Sequence, residues 1–298
     1  MEHVIMANPI SGRGKGKTNA LIVQKLLKKY GIDSIIKVSN YEGELNEIAK
    51  KLSGISPTRF YSIGGDGTLN EIASGIVNTS SDVVVLPCGT GNDFIKCVSD
   101  YFSLRKIILT SLDKKSTSFD IIKINNNRYC LNILNAGFDA MVAKNIKYFR
   151  WIPLLSGKAK YNLSIFFTLI KNRNYMLRIK TNSDTVYSNY TLVAISNGKY
   201  YGGGIVPSPN ANPKDSKLSI CMVAATSILT KIFLLPKYKS CKHLNFKQVN
   251  INDNIESISI VSNKKFPLSI DGEVIYTNRI KGKILKNAIN IVETKKES

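Results

Sequence analysis

The chain has 298 residues and an ordinary apolar fraction of 43%, enough for one large domain or two modest ones. It has no uncharged apolar stretch as long as a membrane-spanning helix, and its start lacks the basic and apolar regions of a signal peptide, so we expect neither feature. The net charge of +21 is unevenly distributed, since residues 1–120 carry +3 and residues 121–298 carry +18. A basic surface attracts nucleic acid or anionic lipid. The alternative is that the charge reflects only a lysine-rich composition at solvated positions.

The first part of the chain alternates between strand and helix patterns. Strands are predicted at 2–7, 34–38, 59–63 and 83–86, and helices at 19–29, 44–52 and 69–77. This alternation predicts a parallel sheet with helices on both faces.

From about residue 119 the pattern changes to short β-rich runs separated by polar turns. These runs are 119–124, 128–136, 175–181, 185–196, 217–223, 257–261 and 266–270. Asn125, Asn126 and Asn127 are typical of a hairpin turn, and helical stretches at 140–170 and 227–235 interrupt the strands. We predict a nucleotide-binding domain at 1–120, completed by a returning strand within 281–298, and a β-rich domain at 121–280.

Three glycine-rich segments, 8–18, 62–71 and 86–94, each follow a predicted strand of the first domain. Loops at the carboxyl ends of parallel strands share one crevice, and glycine lets backbone N–H groups approach phosphate oxygens. Three such loops together indicate a nucleotide site more strongly than any one of them alone.

The first glycine segment does not fit a P-loop. Only three residues separate Gly12 from Gly16, where a P-loop has four, and Ser11 stands where glycine is expected. Taken alone, this segment is equally compatible with a glycine-rich turn that binds nothing.

The second and third glycine segments offer polar side chains beside their glycines. Asp66 could hold Mg²⁺ or a ribose hydroxyl, and Thr68 could cap the following helix or donate to a phosphate. Asn92 and Asp93 could cap the helix after the third segment, which is an ordinary structural role.

Seven motifs follow one another along the chain. They are Asn8-Pro9-x-Ser11-Gly12, Gly64-Gly65-Asp66-Gly67-Thr68-x-Asn70-Glu71, Gly89-Thr90-Gly91-Asn92-Asp93-Phe94, Asn135-Ala136-Gly137-Phe138-Asp139, Asn197-Gly198 with Tyr201-Gly202-Gly203-Gly204, Pro207-x-Pro209-x-Ala211, and Asp271-Gly272-Glu273. With these motifs the sequence resembles the diacylglycerol kinase catalytic-domain family, which includes soluble bacterial diacylglycerol kinases and sphingosine kinases. The run Gly64-Gly65-Asp66-Gly67-Thr68 alone is shared with NAD kinases and phosphofructokinases, but the combination of motifs is more specific.

The resemblance implies a doubly wound, NAD-kinase-like α/β domain, a mostly antiparallel β-sandwich domain, and ATP held between them. Glu273 matches the general base that takes the proton of the lipid hydroxyl, Asp271 positions that site, and Asp66 lies at the phosphates and Mg²⁺. The residues that the resemblance assigns to the nucleotide are Asn8, Pro9, Ser11, Gly12, Ser39, Gly64, Gly65, Asp66, Gly67, Thr68, Glu71 and Thr90.

The resemblance also implies a structural Mg²⁺ site in the second domain, with the Asp215 side chain and the backbone carbonyls of Asn212 and Lys217 as ligands. The family usually has glycine after that aspartate, and this chain has Ser216. Asp215 as a plain turn residue remains a rival interpretation.

Cationic and aromatic residues alternate near the start of the 140–170 stretch, which suits a membrane interface. A solvated helix with aromatic side chains in the core is the alternative. The residues concerned are Lys144, Lys147, Arg150, Lys158 and Lys160, around Tyr148, Phe149, Trp151 and Ile152.

We therefore expect a lipid kinase at the inner face of the membrane, with an anionic lipid surface as partner, no nucleic acid and, by analogy, a homodimer. Five scattered cysteines with no Cys-x-x-Cys pair fit a reducing cytoplasm and no zinc site. Diacylglycerol is the favoured acceptor; the alternatives are phosphatidylglycerol, a sphingoid base, NAD, or a non-catalytic basic protein that binds membrane or nucleic acid.

Overall fold

The computed structural model describes residues 1–89, 91–125, 128–149, 152, 156–171 and 173–296, without the side chains of residues 147, 157 and 158. Its internal contacts divide the chain into two compact units. Unit 1 is Met1–Ile121 with Leu285–Ser298, and unit 2 is Ile122–Ile284.

Unit 1 alternates strands and helices, and its strands pair in parallel in the order β4-β3-β1-β2, with residues 290–291 on the other side of β4. The strands are β1 (Glu2–Ala7), β2 (Ile35–Val38), β3 (Thr58–Gly64) and β4 (Asp82–Pro87). The helices are α1 (Ser11–Gly14), α2 (Gly16–Lys29), α3 (Glu44–Ser53), α4 (Asp66–Gly75), α5 (Ile95–Val98) and α6 (Leu104–Ser111).

Helix α2 shows how sequence and packing combine in unit 1. Ala20, Val23 and Leu27 recur at helical spacing and are fully buried. The helix begins at Gly16, three residues before its predicted start, although glycine is a weak helix former. A Cβ atom at position 16 would lie 2.0 Å from the Asn8 carbonyl oxygen, so close packing requires glycine there.

Unit 2 is built mainly from antiparallel strands in the order β11-β10-β9-β7-β12-β13, while β8 pairs with both β9 and β12. The strands, of which the first and last continue into unit 1, are β5 (Thr117–Ile124), β6 (Arg128–Cys130), β7 (Ile133–Gly137), β8 (Tyr175–Thr181), β9 (Thr185–Ser196), β10 (Leu218–Ala224), β11 (Val249–Ile255), β12 (Ser257–Ile270) and β13 (Glu273–Ile291). The helices are α7 (Phe138–Phe149), α8 (Gly157–Lys171) and α9 (Ile228–Lys239).

Two apolar cores lie on opposite faces of β9 in unit 2. Val193 and Ile195 belong to a core formed by strands, whereas Leu192 and Ala194 belong to a core shared with the three helices. Successive side chains of a strand point to opposite faces, so a strand covered on both sides is apolar at every position.

Several predicted boundaries in unit 2 are wrong. The run 128–136 is two strands, because the chain turns a corner at Leu131 and Asn132. The runs 257–261 and 266–270 belong to the single strand β12, whose pairing is irregular between Val261 and Phe266. Pro267 and the polar residues before it resemble a strand end, but pairing with β13 continues through them.

The predicted helix at 140–170 is two helices, α7 and α8, and the sequence between them contains Pro153, which does not suit a helix interior. Sequence reasoning missed α6 and the polar strand β11. Asn126 and Asn127 of the predicted hairpin turn lie outside the described residues, although β5 and β6 pair antiparallel around them. Among the described helices, none has the length and hydropathy needed to span a bilayer.

A buried ion pair joins β3 to β4 in unit 1. Arg59 Nε and Nη2 each donate to an Asp82 carboxylate oxygen at 2.9 Å, and the guanidinium also donates to the Ser111 and Lys114 carbonyls. The Arg59 and Asp82 side chains are 11% and 2% exposed. We expect Arg59→Leu to lower the free energy of unfolding by about 3–5 kcal/mol, because it leaves the aspartate buried without its partner.

Urea denaturation measures this change. The exposed Arg105→Leu on α6 is the matched control and should change stability by roughly 0.5 kcal/mol or less. Equal midpoints for the two variants would show that the Arg59–Asp82 pair does not stabilise the sheet.

Candidate functional site

The strands of unit 1 end at the same edge of their sheet. Ala7 pairs with Val38 on one side and Ile63 on the other, and Gly64 pairs with Pro87. The residues that follow these strand ends are Asn8, Ser39, Gly65 and Cys88. The three glycine segments and Ser39 therefore lie at one edge, as strand order requires.

The second and third glycine segments touch through their backbones. The N–H groups of Cys88 and Gly89 donate to the Gly64 carbonyl at 2.8 and 3.1 Å. A Cβ atom at position 89 would lie 2.5 Å from the Gly65 Cα, a distance that a side chain cannot occupy. Glycine at position 89 is thus a requirement of the fold at this edge.

The first glycine segment joins the same cluster. Gly12 has a left-handed φ of 62°, and a Cβ atom there would lie 2.5 Å from the Cys88 Sγ. The Asn19 side-chain amide donates to that sulfur at 2.9 Å. All three segments therefore converge, and Cys88 and Asn19 take part in the contact although the motifs did not identify them.

The turn after β1 is closed by its own polar groups. The Asn8 side-chain oxygen accepts the Ile10 N–H at 3.1 Å, and the Asn8 carbonyl accepts the Ser11 N–H at 3.2 Å. Pro9 lies in this turn. The exposed cations that follow are Arg13, Lys15 and Lys17. This positive charge beside glycine-rich backbone favours a phosphate ligand.

Asp66 is tied to the third glycine segment. Its Oδ1 accepts the N–H groups of Asp93 at 2.9 Å and Phe94 at 3.0 Å, and its Oδ2 accepts Asp93 at 3.0 Å. Burial raises the pKa of the Asp66 carboxyl, and these N–H donors oppose that shift. The carboxylate therefore fixes the position of one loop relative to the other.

The other predicted residues of the second segment lie on α4. Thr68 is 4% exposed and packs against Gly64, where a Cβ atom would lie 2.3 Å from the threonine Oγ1. Gly67 has nothing within 4 Å of its Cβ position, and Glu71 is one turn further along the helix.

Two predicted nucleotide residues remain. Ser39 is 8% exposed and donates its N–H to the Ala7 carbonyl at 3.1 Å, and Thr90 lies outside the described residues. A pocket of about 210 Å³ at this edge is lined in part by Gly64, Gly65, Asp66 and Asn92.

Glu273 begins β13 in unit 2, directly after a two-residue hairpin turn. Asp271 and Gly272 have φ of 46° and 93°, the left-handed values of a type I′ turn, which is why Asp-Gly occurs there. The Glu273 side chain is 53% exposed, and its Oε1 lies 3.8 Å from Arg128 Nη1. Such an exposed pair contributes little to stability and leaves the carboxylate accessible.

Asp271 is half-buried and holds the chain between β6 and β7. Its carboxylate accepts the N–H groups of Leu131 at 2.7 Å and of Asn132 and Ile133 at 3.0 Å, as well as the Cys130 thiol at 3.2 Å. Burial raises the pKa of Asp271 to about 6, against the effect of these donors. The residue thus orders the corner next to the Glu273 hairpin.

The predicted Mg²⁺ ligands lie in an exposed turn. The Asn212 carbonyl accepts the Asp215 N–H at 3.3 Å, and Asp215 Oδ1 accepts the Lys217 N–H at 3.0 Å. Ser216 has a φ of 65°, so serine adopts the left-handed conformation that glycine prefers. Within the described part of the chain, no group of three or more His, Cys, Asp or Glu side chains could hold a metal ion.

An open cavity in unit 2, whose volume of about 360 Å³ includes solvent at its mouth, was not anticipated from the sequence. Asp139 and Lys231 are its charged residues, and the rest of the lining is Phe138, Thr191, Leu192, Val223, Leu234, Leu235 and Tyr238. The Tyr201 hydroxyl donates to Asp139 Oδ2, and burial raises the pKa of Asp139 to about 6.

Lys231 is 4% exposed and donates to the Asn174 side-chain oxygen at 3.0 Å. Burial lowers the pKa of this lysine to about 8. The sequence motifs include Asp139 but not Lys231, which comes from a distant part of the chain.

The cationic and aromatic cluster on α7 is only partly described. Tyr148 is 66% exposed, Phe149 packs against Phe167 with ring centroids 5.4 Å apart, and Lys144 Nζ lies 4.6 Å from the Tyr276 ring centroid. Arg150 and Trp151, and the side chains of Lys147 and Lys158, lie outside the described residues.

Two family models match the chain and together cover nearly all of it. "Diacylglycerol kinase catalytic domain" matches residues 2–124, and "YegS C-terminal NAD kinase beta sandwich-like domain" matches residues 132–293. The first match thus covers the α/β part of the chain and the second covers the antiparallel β part. The chain belongs to the diacylglycerol kinase catalytic-domain family, which confirms the predicted family and fold class.

Relatives match over most of their own length. A Staphylococcus carnosus protein named "Putative lipid kinase" is 23% identical over 97% of this chain and 95% of its own. A Staphylococcus aureus protein of the same name is 27% identical over 86% and 85%. The crystal structure of "a putative diacylglycerol kinase" from Bacillus anthracis has a TM-score of 0.77, 22% identity and coverage of 98% and 97%, which shows the shared fold.

The raised pKa values of Asp139 and Asp271 predict a pH-dependent stability. Between about pH 4 and pH 6 the unfolded chain has lost these two protons while the folded chain retains them. The free energy of unfolding therefore falls as pH rises across this range, and the fall is complete once pH has passed about 6. We expect Asp139→Asn to remove its share of this loss, on the order of 2–3 kcal/mol between about pH 4 and pH 7.

Denaturant unfolding at several pH values measures the slope of the free energy of unfolding against pH. Asp184→Asn, at an exposed site in the same unit, is the control and should leave the slope unchanged. A slope unaffected by Asp139→Asn would contradict the assignment of a proton to the buried carboxyl.

Proposed function

We propose that the protein is an ATP-dependent lipid kinase that transfers the γ-phosphate to a lipid hydroxyl, with diacylglycerol as acceptor and phosphatidic acid as product. Membership of a kinase family implies the use of ATP. The observation that carries the proposal is the convergence of three glycine segments at one strand edge of unit 1, with Gly65 and Gly89 in backbone contact.

This edge suits a polyphosphate. Glycine leaves backbone N–H groups uncovered, the nearby Arg13, Lys15 and Lys17 add positive charge, and α4 begins at Asp66, so its N-terminus faces the same edge. ATP would supply the transferable phosphoryl group, and Mg²⁺ would neutralise its charge. On this proposal Asn8, Ser11, Gly12 and the 64–68 turn line the nucleotide site.

The carboxylates take different roles in the proposed reaction. Glu273 is accessible, and its carboxylate would accept the proton of the attacking lipid hydroxyl. Asp271 and Asp66 both accept hydrogen bonds from backbone N–H groups, so we assign both a positioning role. Asp271 positions the Glu273 hairpin, and Asp66 positions the third glycine segment. Asp66 and Glu71 would also orient Mg²⁺.

The acceptor would enter unit 2. Its open cavity of about 360 Å³ has mainly apolar walls, which suit acyl chains, and two ionisable residues, Asp139 and Lys231, which suit a headgroup hydroxyl or ester. We further propose that the protein works at the cytoplasmic face of the membrane, where anionic lipid attracts its basic second part.

One assay distinguishes this function from its rivals. The protein is incubated with labelled ATP, Mg²⁺ and mixed micelles of diacylglycerol, phosphatidylglycerol or sphingosine, with NAD and DNA in parallel. Label in an organic-extractable lipid supports the proposal, and the labelled lipid names the acceptor. Label in NAD alone, or DNA binding with no transfer to any acceptor, would overturn it.

Gly89→Ala tests the phosphate site directly. Because its Cβ atom would lie 2.5 Å from the Gly65 Cα, the two loops must separate, and we expect nucleotide affinity to fall by roughly tenfold or more. Gly54→Ala, at the end of α3 and outside the proposed site, is the control, since its φ is −76° and a Cβ atom there would have no neighbour closer than 3.2 Å. Titration with a fluorescent ATP analogue measures both, and equal affinities would contradict the proposed location.

Glu273→Gln tests the proposed base. It keeps the size of the side chain but removes its ability to accept a proton, so kcat should fall by roughly 10²- to 10⁴-fold while nucleotide affinity stays unchanged. Arg128→Gln serves as the control for the loss of the exposed ion pair. Near-normal kcat in Glu273→Gln would refute the role.

A further inference from the structure

The outer sides of α8 and α9 carry large apolar side chains in contact with solvent. On α9 these are Leu229, Ile232 and Phe233, which recur at helical spacing and are 66%, 48% and 73% exposed. On α8 they are Phe166, Phe167 and Ile170, which are 57%, 43% and 58% exposed. Together these six residues form what we call the α8–α9 face.

The six residues belong to one layer of helices. Ile165 of α8 and Leu234 and Tyr238 of α9 are buried in the same core, and the two helices contact each other. The buried sides therefore face inward together, and the exposed stripes lie on the outside. Exposed apolar stripes on two helices that contact each other indicate an interaction site.

The charge around this face has one sign. Residues 138–173 and 225–247, which contain α7, α8, α9 and the segments next to them, include eleven Lys or Arg besides the buried Lys231, and a single acidic residue, Asp139. The Asp139 carboxylate lines the cavity and accepts a hydrogen bond from Tyr201, so it does not offset the cations outside. The surroundings of the face are therefore strongly basic.

We propose that the α8–α9 face is the surface by which the protein docks on an anionic lipid bilayer. Its aromatic and aliphatic side chains enter the acyl region, and the surrounding lysines reach the headgroups. A second copy of the chain suits this face less well, because a two-fold interface brings the same patch against itself and would oppose two cationic surfaces.

The α8–α9 face lies on the same helix as the cavity proposed for the lipid acceptor, and this step of the inference rests on the proposed lipid-kinase function. Leu234, Leu235 and Tyr238 on the inner side of α9 line the cavity of about 360 Å³, while Ile232 and Phe233 face outward from the same helix. The docking helix is thus also a wall of the cavity proposed for the lipid acceptor.

Vesicle binding tests the surface. The full chain and the double variant Ile232→Ser, Phe233→Ser are sedimented with phosphatidylcholine vesicles with and without phosphatidylglycerol. We expect the parent to bind the anionic vesicles in a salt-sensitive manner and the variant to bind roughly tenfold or more weakly. The control Val186→Ser, Tyr187→Ser removes side chains that are 41% and 59% exposed on β9 and should bind like the parent.

Four further measurements make the outcomes decisive. Circular dichroism and urea unfolding verify that the variant is folded. Undiminished vesicle binding by the folded variant would overturn the proposal. So would a variant whose oligomeric state, measured by sedimentation without vesicles, changes while its vesicle binding does not. Phosphorylation of lipid in detergent micelles should be retained by the variant, whereas no transfer by the parent in micelles would refute the kinase function separately from docking.

Discussion

The close approach of two glycine backbones is the constraint on which the candidate site depends. Gly65 and Gly89 follow neighbouring parallel strands, and neither strand end could come as near to the other if position 89 carried a side chain. This contact brings the second and third glycine segments together, and Gly12 against Cys88 adds the first. A glycine-rich motif is here a requirement of packing as much as of ligand binding.

Two carboxylates stabilise loops by the same physical means in the two units. Asp66 accepts the N–H groups of residues 93 and 94, and Asp271 accepts those of residues 131–133. Asp66 is the first residue of α4 and Asp271 lies in a two-residue hairpin turn, and each satisfies backbone N–H donors of a segment distant in the sequence. The cost is a partly desolvated charge, which is why burial raises the pKa of both groups.

In unit 2 the two-sided burial of β9 and β10 separates a strand core from a helix core. The helix core is incompletely filled, and the remaining cavity holds Asp139 and Lys231 among apolar walls. Because the three helices cover only this side, their outer surfaces remain exposed, and α9 presents one side to the cavity and the other to solvent. Cavity and docking face are therefore two sides of one helical layer.

Local sequence patterns determined several turns and strand ends of this protein. The strand ends of unit 1, the glycine turns that follow them and the Asp271-Gly272 hairpin could be predicted, because their signals lie within a few neighbouring residues. The polar strand β11 could not, since its sequence Val-Asn-Ile-Asn-Asp-Asn-Ile has low strand propensity and depends on pairing with β10.

Tertiary structure alone decided where the key side chains point. The sequence marked Asp66 and Asp271 as site residues, but only long-range contacts turn their oxygens toward residues 93–94 and 131–133. Likewise, Asp139 and Lys231 share a cavity although 92 positions separate them in the chain. Periodicity and motif spacing describe residues that are close in the sequence, whereas packing determines which residues are close in space. The orientation of a carboxylate depends on its neighbours in space.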